Sequence, residues 1–178
     1  MYLDTFKELT ISSITDKIKL FEKTSTGCPV DWTRYIGTDN KCIKAFKYRK
    51  YYTDALEYCQ IFKNGTLVSI HNGFQNGQVG THCFELTYGT YWKDPCWIGV
   101  NNFENLNEYL WIDGSSFDYS YWYNSISYTE PSGGIILVSN NYQWDDFQSD
   151  SYYFVCVQDL WNLVVITLFL LFRCTCSF

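Results

Sequence analysis

Along residues 28–158 the hydrophobic pattern changes period several times, and each change marks an element. Cys42–Tyr48 (CIKAFKY) reads as a strand. In the stretch that follows, Tyr52, Ala55, Leu56, Cys59 and Phe62 fall at the spacing of one helix face. Thr53 stands where a capping hydroxyl would, Asp54 suits the first turn, and this helix is expected to run to about Lys63. Asn64-Gly65 closes it, because both residues accept left-handed backbone. Thr66–Ile70 (TLVSI) reads as a short strand. Asn72–Phe84 reads as a second helix, although Gly73, Gly77 and Gly80 each cost it about 1 kcal/mol relative to alanine. Cys96–Val100 (CWIGV) reads as a buried strand. From Asn101 to Thr129 the chain is polar and aromatic with no regular period, and so long an irregular stretch inside a domain is usually functional. Gly134–Ser139, Tyr142–Trp144 and Tyr152–Val157 read as three closing strands. Helices followed by strands and long loops predict the α+β class.

The chain of 178 residues fits one domain with extensions. Aromatic residues make up 20%, which favours strands, stacked cores and binding faces. The net charge of −6 argues against a nucleic-acid partner, which needs a basic face. Six of the eight cysteines (Cys28, Cys42, Cys59, Cys83, Cys96 and Cys156) are widely spaced within the body. With no C-x-x-C pair for zinc, they predict disulfides and an oxidising compartment, while spacing alone leaves their connectivity open.

The two ends read differently from the body. Met1–Thr26 carries Asp4, Glu8, Asp16 and Glu22 and no continuous apolar run, so no secretory signal peptide is visible. Its apolar Leu3, Phe6, Ile14, Ile18 and Phe21 recur at roughly helical spacing, as in a weak amphipathic helix or a lead-in. Leu163–Phe172 (LVVITLFLLF) has only Thr167 as a polar residue, but is short of the ~20 apolar residues that span a bilayer. Three readings compete: a tail anchor with Cys174 and Cys176 beside it, a core element, or an extension past the domain end. The expected division is a lead-in over 1–27, a domain over 28–158 and an apolar tail over 159–178, with weak membrane association through 160–178.

Short motifs follow one another through the body: Cys28-Pro29-x-x-Trp32, Leu67-Val68-Ser69-Ile70-His71, Trp97-Ile98-Gly99-Val100, Trp111-Ile112-Asp113-Gly114-Ser115 with Tyr119 and Trp122, Glu130-Pro131-Ser132, Trp144-Asp145-Asp146 and Phe154-Val155-Cys156. In this order they resemble the C-type lectin-like domain, in the long form of nematode-type proteins. The resemblance implies a double-loop α+β fold with two helices, antiparallel strands and a long ligand loop near Asn101–Thr129. It implies the disulfides Cys28–Cys42 and Cys59–Cys156, and Cys83 and Cys96 then pair by elimination. The family's second internal disulfide has no cysteines here: Gly133–Ile136 and Phe147–Asp150 stand in their place, so the ligand loop is expected to be looser.

The resemblance also implies a calcium and sugar site. Glu130, Ser132, Asp145 and Asp146 stand where that family holds the ion, with Glu130, Ser132, Asp145 and Trp122 toward the sugar. Ser132 replaces an amide, and no acid lies between Pro131 and Trp144. Calcium needs six to eight oxygens, so the site is degraded, and weak affinity is expected. A cis bond before Pro131 would turn Glu130 and Ser132 toward the acids of the Trp144 strand. The competing reading makes the three acids solvated loop residues. Trp97, Trp111 and Trp144 read as core, whereas Trp92, Trp122 and the Tyr119–Tyr128 cluster read as partly exposed.

No hydrolase, P-loop or dinucleotide motif is present, and Asp145-Asp146 on a strand would point to opposite faces, so no enzyme is expected. His71 and His82 read as structural. Asn64-Gly65-Thr66 is a glycosylation sequon at a turn. Two functions are expected to compete: a carbohydrate-binding module, weakly calcium-dependent and extracellular, whose partners are glycans or a glycoprotein; and a lectin-like protein-interaction domain that has lost calcium and sugar.

Overall fold

The computed structural model describes residues 27–88, 93–124 and 130–160. Most of the lead-in, Trp92, residues 125–129 and the run after Leu160 lie outside the described residues.

Three central strands are apolar at nearly every position because both of their faces are covered. On β8 (Tyr152–Asp159), Phe154 and Cys156 belong to one buried cluster while Val155 and Val157 belong to the other. β4 (Cys96–Asn101) and β6 (Gly133–Leu137) divide in the same way, with Trp97 opposed to Ile98 and Ile135 to Ile136. Around them, β1 (Thr33–Arg34), β2 (Lys41–Lys50) and β7 (Gln143–Phe147) complete the order β1-β2-β8-β4-β6-β7, with β3 (Thr66–Leu67) on β8 and β5 (Leu110–Trp111) on β4. All pairings are antiparallel except β4 with β8, which is parallel.

Helix α1 (Tyr52–Gln60) buries Tyr52, Ala55 and Cys59, with Leu56 and Phe62 partly buried beside them, the face that the apolar spacing predicts. Its cap differs from the expectation. The N-cap is Tyr51, with no side-chain cap bond, and not Thr53. The buried Tyr52 ring packs edge-on to Trp97 at 5.6 Å, and that contact brings the first turn forward. Regular helix ends at Gln60, before the expected Lys63. Asn64 takes the left-handed conformation (φ 49°), whereas Gly65 is required for closeness, since a Cβ there would overlap the Cys59 carbonyl.

Helix α2 (Gly73–Thr87) is capped by the Asn72 side chain, which accepts from the Gln75 N–H at 3.0 Å. It runs three residues beyond the expected Phe84. One of its glycines has a packing reason: a Cβ on Gly80 would overlap the Tyr142 ring. Replacing Gly80 by alanine therefore costs about 1–3 kcal/mol despite the better helix propensity of alanine, and a urea midpoint measures it.

Three disulfides clip these elements: Cys28–Cys42, Cys59–Cys156 and Cys83–Cys96, with Cα separations of 5.7, 5.4 and 6.0 Å. The last strand reaches further than the expected boundary at 158. Asp159 lies in β8 and pairs with Lys41 at 3.2 Å, its N–H donates to the Lys63 carbonyl, and the Leu160 N–H donates to the Asn40 carbonyl. These bonds hold Asp159 in the sheet and Leu160 beside Asn40.

Candidate functional site: the loop face around Trp144

Among the described residues of the long connection after β5, only Trp122 makes a strand bridge, to Trp144, so side chains must hold the rest. The anchor is Trp144, fully buried on β7. Its Nε1–H donates to Asn76 Oδ1 on α2 at 2.7 Å, and its backbone bonds to Tyr121 and Tyr123. The rings of Trp111, Tyr119 and Trp122 surround it at 5.4–5.7 Å. Asn76 is itself buried, and its amide donates to the Tyr142 carbonyl at 3.1 Å, so a polar residue on the helix core face is satisfied. Trp122 is half-buried between Tyr109 and Trp144; Tyr123, Phe103 and Phe147 are exposed.

The four residues expected at a calcium site are placed as follows. Asp146 points to the Trp144 side of β7. One of its carboxylate oxygens, Oδ2, accepts from the Tyr109 hydroxyl at 2.8 Å and the Ser132 hydroxyl at 3.2 Å. Ser132 is 1% exposed; its N–H donates to Asn102 Oδ1 at 2.6 Å, and its hydroxyl oxygen lies 3.3 Å from that same oxygen. Asp145 points to the other side, toward Tyr152, and Oδ1 accepts its neighbour's N–H at 3.0 Å. Burial raises the Asp145 carboxyl above its ordinary range, and the charge of Asp146 adds to this. Burial likewise pushes the Tyr152 phenol up to about 12, with Asp150 beside it adding to the shift. Glu130 is exposed, and its carbonyl accepts from the Asn102 amide at 3.2 Å.

Among the described residues these four side chains form no metal cluster. Asp145 and Asp146 point to opposite sides of β7 in this structure, one toward Tyr152 and the other toward Tyr109. Asp146 is instead met by the Tyr109 and Ser132 hydroxyls, and the Ser132 N–H is bonded to Asn102. Among the described residues no three acidic, histidine or cysteine side chains gather for a metal. No described peptide bond is cis, so the turn expected at Pro131 is not made. Tyr109 and Asn102, which organise this cluster, lie in the stretch without a period; only their nearness to the Trp97 and Trp111 motifs signals them.

A second cluster lies beside Trp111. Asp118 Oδ1 is 2.8 Å from His71 Nδ1, and His71 Nε2 is 3.3 Å from the Ser115 hydroxyl oxygen. This is the order of a hydrolytic triad, but the Ser115 proton goes to Asp113 Oδ1 at 2.5 Å, so the hydroxyl is not poised toward the imidazole. His82 lies apart on α2, 3.8 Å from Glu85, and burial lowers its pKa. At the sequon, Asn64 is exposed and its amide donates to Asp159 at 2.7 Å.

A family model described as the lectin C-type domain matches residues 48–158. A C-type lectin mannose-binding isoform from Notechis scutatus scutatus is 27% identical over 157 residues, 85% of this chain and 96% of that protein. One chain of the snaclec coagulation factor IX/factor X-binding protein from Protobothrops flavoviridis is 29% identical over 122 residues, 68% of this chain and 75% of that one. Among solved structures, human lithostathine superposes with a TM-score of 0.66 at 23% identity, covering 77% of this chain and 94% of that chain.

Proposed function

The chain belongs to the C-type lectin family, and from that premise we propose that it is a recognition module whose loop face binds a glycan or glycoprotein without calcium. One observation carries the calcium-free part: Asp146 is satisfied by Tyr109 and Ser132 from within the protein. Contact with the ligand falls to the aromatic groups at the edge of that face, half-buried Trp122 and exposed Tyr123. Aromatic rings stack on the C–H faces of sugars, and the amides and carboxylates beside them read hydroxyls. The relative named as mannose-binding supports a carbohydrate. The factor-binding snaclec supports a second reading, a protein partner on the same face. Family and disulfides fit an extracellular address, and exposed Asn64 is the proposed glycan acceptor. Among the described residues no helix is long and apolar enough to cross a membrane.

A glycan array probed with calcium and again with a chelator tests the proposal. Equal binding in both arms is expected; binding lost with chelator overturns calcium independence, and no binding in either arm favours the protein partner. A thermal melt gives the matching stability result: millimolar calcium leaves the wild-type midpoint unmoved. Tyr109→Phe removes a bond to a charged acceptor and lowers stability by about 1.5–3 kcal/mol, with or without calcium.

A further inference from the structure

Proton counting in the second cluster leads further. A carboxylate only accepts, so the Ser69 hydroxyl donates to Asp113 Oδ2 at 2.7 Å and the Ser115 hydroxyl to Asp113 Oδ1. Ser115 has one hydroxyl proton. Toward His71 Nε2 it can then only accept, so Nε2 carries a proton. Asp118 also only accepts, so Nδ1 carries one too. With the Ser115 proton on Asp113, both ring bonds are made only by an imidazolium, one to the Asp118 carboxylate and one to the Ser115 hydroxyl.

The anchors belong to different parts of the chain. His71 stands between β3 and α2, where its backbone N–H donates to the buried Gln75 side chain at 2.7 Å and its ring lies edge-on to Trp111. Ser69 is buried in the segment before it. Asp113, Ser115 and Asp118 all lie on the stretch that follows β5, so the cation ties that stretch to the helix side of the core. We propose that His71 is a proton-dependent latch, a positioning residue that holds residues 113–118 against the core while it is protonated and releases part of that hold when it is neutral.

The titratable and charged groups around it are few. From the loop come Asp113 and Asp118; behind Ser69 lies Tyr35, whose hydroxyl donates to the Ser69 carbonyl at 2.5 Å. Burial raises Tyr35 far above its ordinary range, so it stays neutral. Burial pushes Asp113 up, but the bonds from Ser115 and Ser69 and the His71 charge more than offset it and leave it below the ordinary range. The bond from His71 lowers Asp118 likewise. Both carboxylates therefore stay charged across the range in which an imidazole changes charge, between about pH 5 and 8.

The sign follows from which form makes the bonds. The cation donates to both Asp118 and Ser115. Neutral imidazole has one N–H, so either the bond to one of them is lost or Ser115 turns its proton from Asp113 to His71. The hold is fullest at acidic pH and weakens as pH rises. It acts on loop geometry alone and stands whether the ligand is glycan or protein.

Two measurements on the full chain test it. Nitrogen-15 spectra of the histidine rings are expected to show both His71 nitrogens protonated at pH 5.5. After correction for intrinsic rates, hydrogen exchange at the Gly114 and Ser115 amides is expected to rise about fivefold to tenfold between pH 5.5 and 8, the equivalent of one ordinary hydrogen bond. His71→Gln should abolish that rise and His82→Gln should keep it. Asp118→Asn, which keeps an oxygen acceptor without its charge, should reduce it and serves if the His71 variant fails to fold. An exchange profile that does not follow the His71 titration, or one unchanged in both latch variants, overturns the proposal.

Discussion

Replacing Cys59 and Cys156 together by alanine lowers the unfolding free energy by about 4–5 kcal/mol, a large share of the stability of an ordinary domain. The bridge closes a separation of 97 residues, from α1 to the last strand, against 14 for Cys28–Cys42 and 13 for Cys83–Cys96. In the chain-entropy account, each short loop is worth only about 3 kcal/mol. Both sulfurs also sit in the fully buried cluster with Leu67, Trp97 and Phe154, where alanine leaves unfilled space. Equilibrium unfolding in urea, compared with the same change at Cys83 and Cys96, measures the difference. Equal losses for the long and short bridges would show that local packing, and not loop length, sets the contribution.

Trp144→Ala is expected to cost about 3–5 kcal/mol and to disorganise the loop face in any molecule that stays folded. Its cost has two parts. Trp111, Tyr119 and Trp122 lose the ring they pack around, and Asn76 loses the donor to its side-chain oxygen inside the core. Trp144→Phe separates them: it keeps an aromatic body and leaves the Asn76 oxygen unpaired, at a cost of about 1–3 kcal/mol. Urea midpoints report the stability, and the near-ultraviolet circular dichroism reports the surrounding rings. A phenylalanine variant as unstable as the alanine variant would assign most of the cost to the indole N–H.

The elements that were legible before folding are those whose signal is local. The spacing of Tyr52, Ala55 and Cys59 gives the buried face of α1 because period and burial are the same fact in a helix. The unbroken apolar runs around Trp97 and Phe154 announce strands covered on both sides. Where a distant residue decides, the pattern misleads. Thr53 looks like a cap, but the place of Tyr52 against Trp97 starts the helix earlier. Gly80 looks like a weakness in α2, but Tyr142 needs the space.

The candidate site divides along the same line. Composition and order of motifs determined the fold class, the disulfide-bearing body and the buried role of Trp97, Trp111 and Trp144, because each of these is a property of residue type and spacing. Only the tertiary structure decided what the polar groups do. Asp145 and Asp146 are neighbours in sequence, but the pleat sends one toward Tyr152 and the other toward Tyr109. Tyr109, Ser132 and Asn102 come from three segments, and His71 meets Ser115 and Asp118 from a different segment. A hydrogen bond depends on where its partner is brought to within about 3 Å, and no period along the chain encodes that meeting.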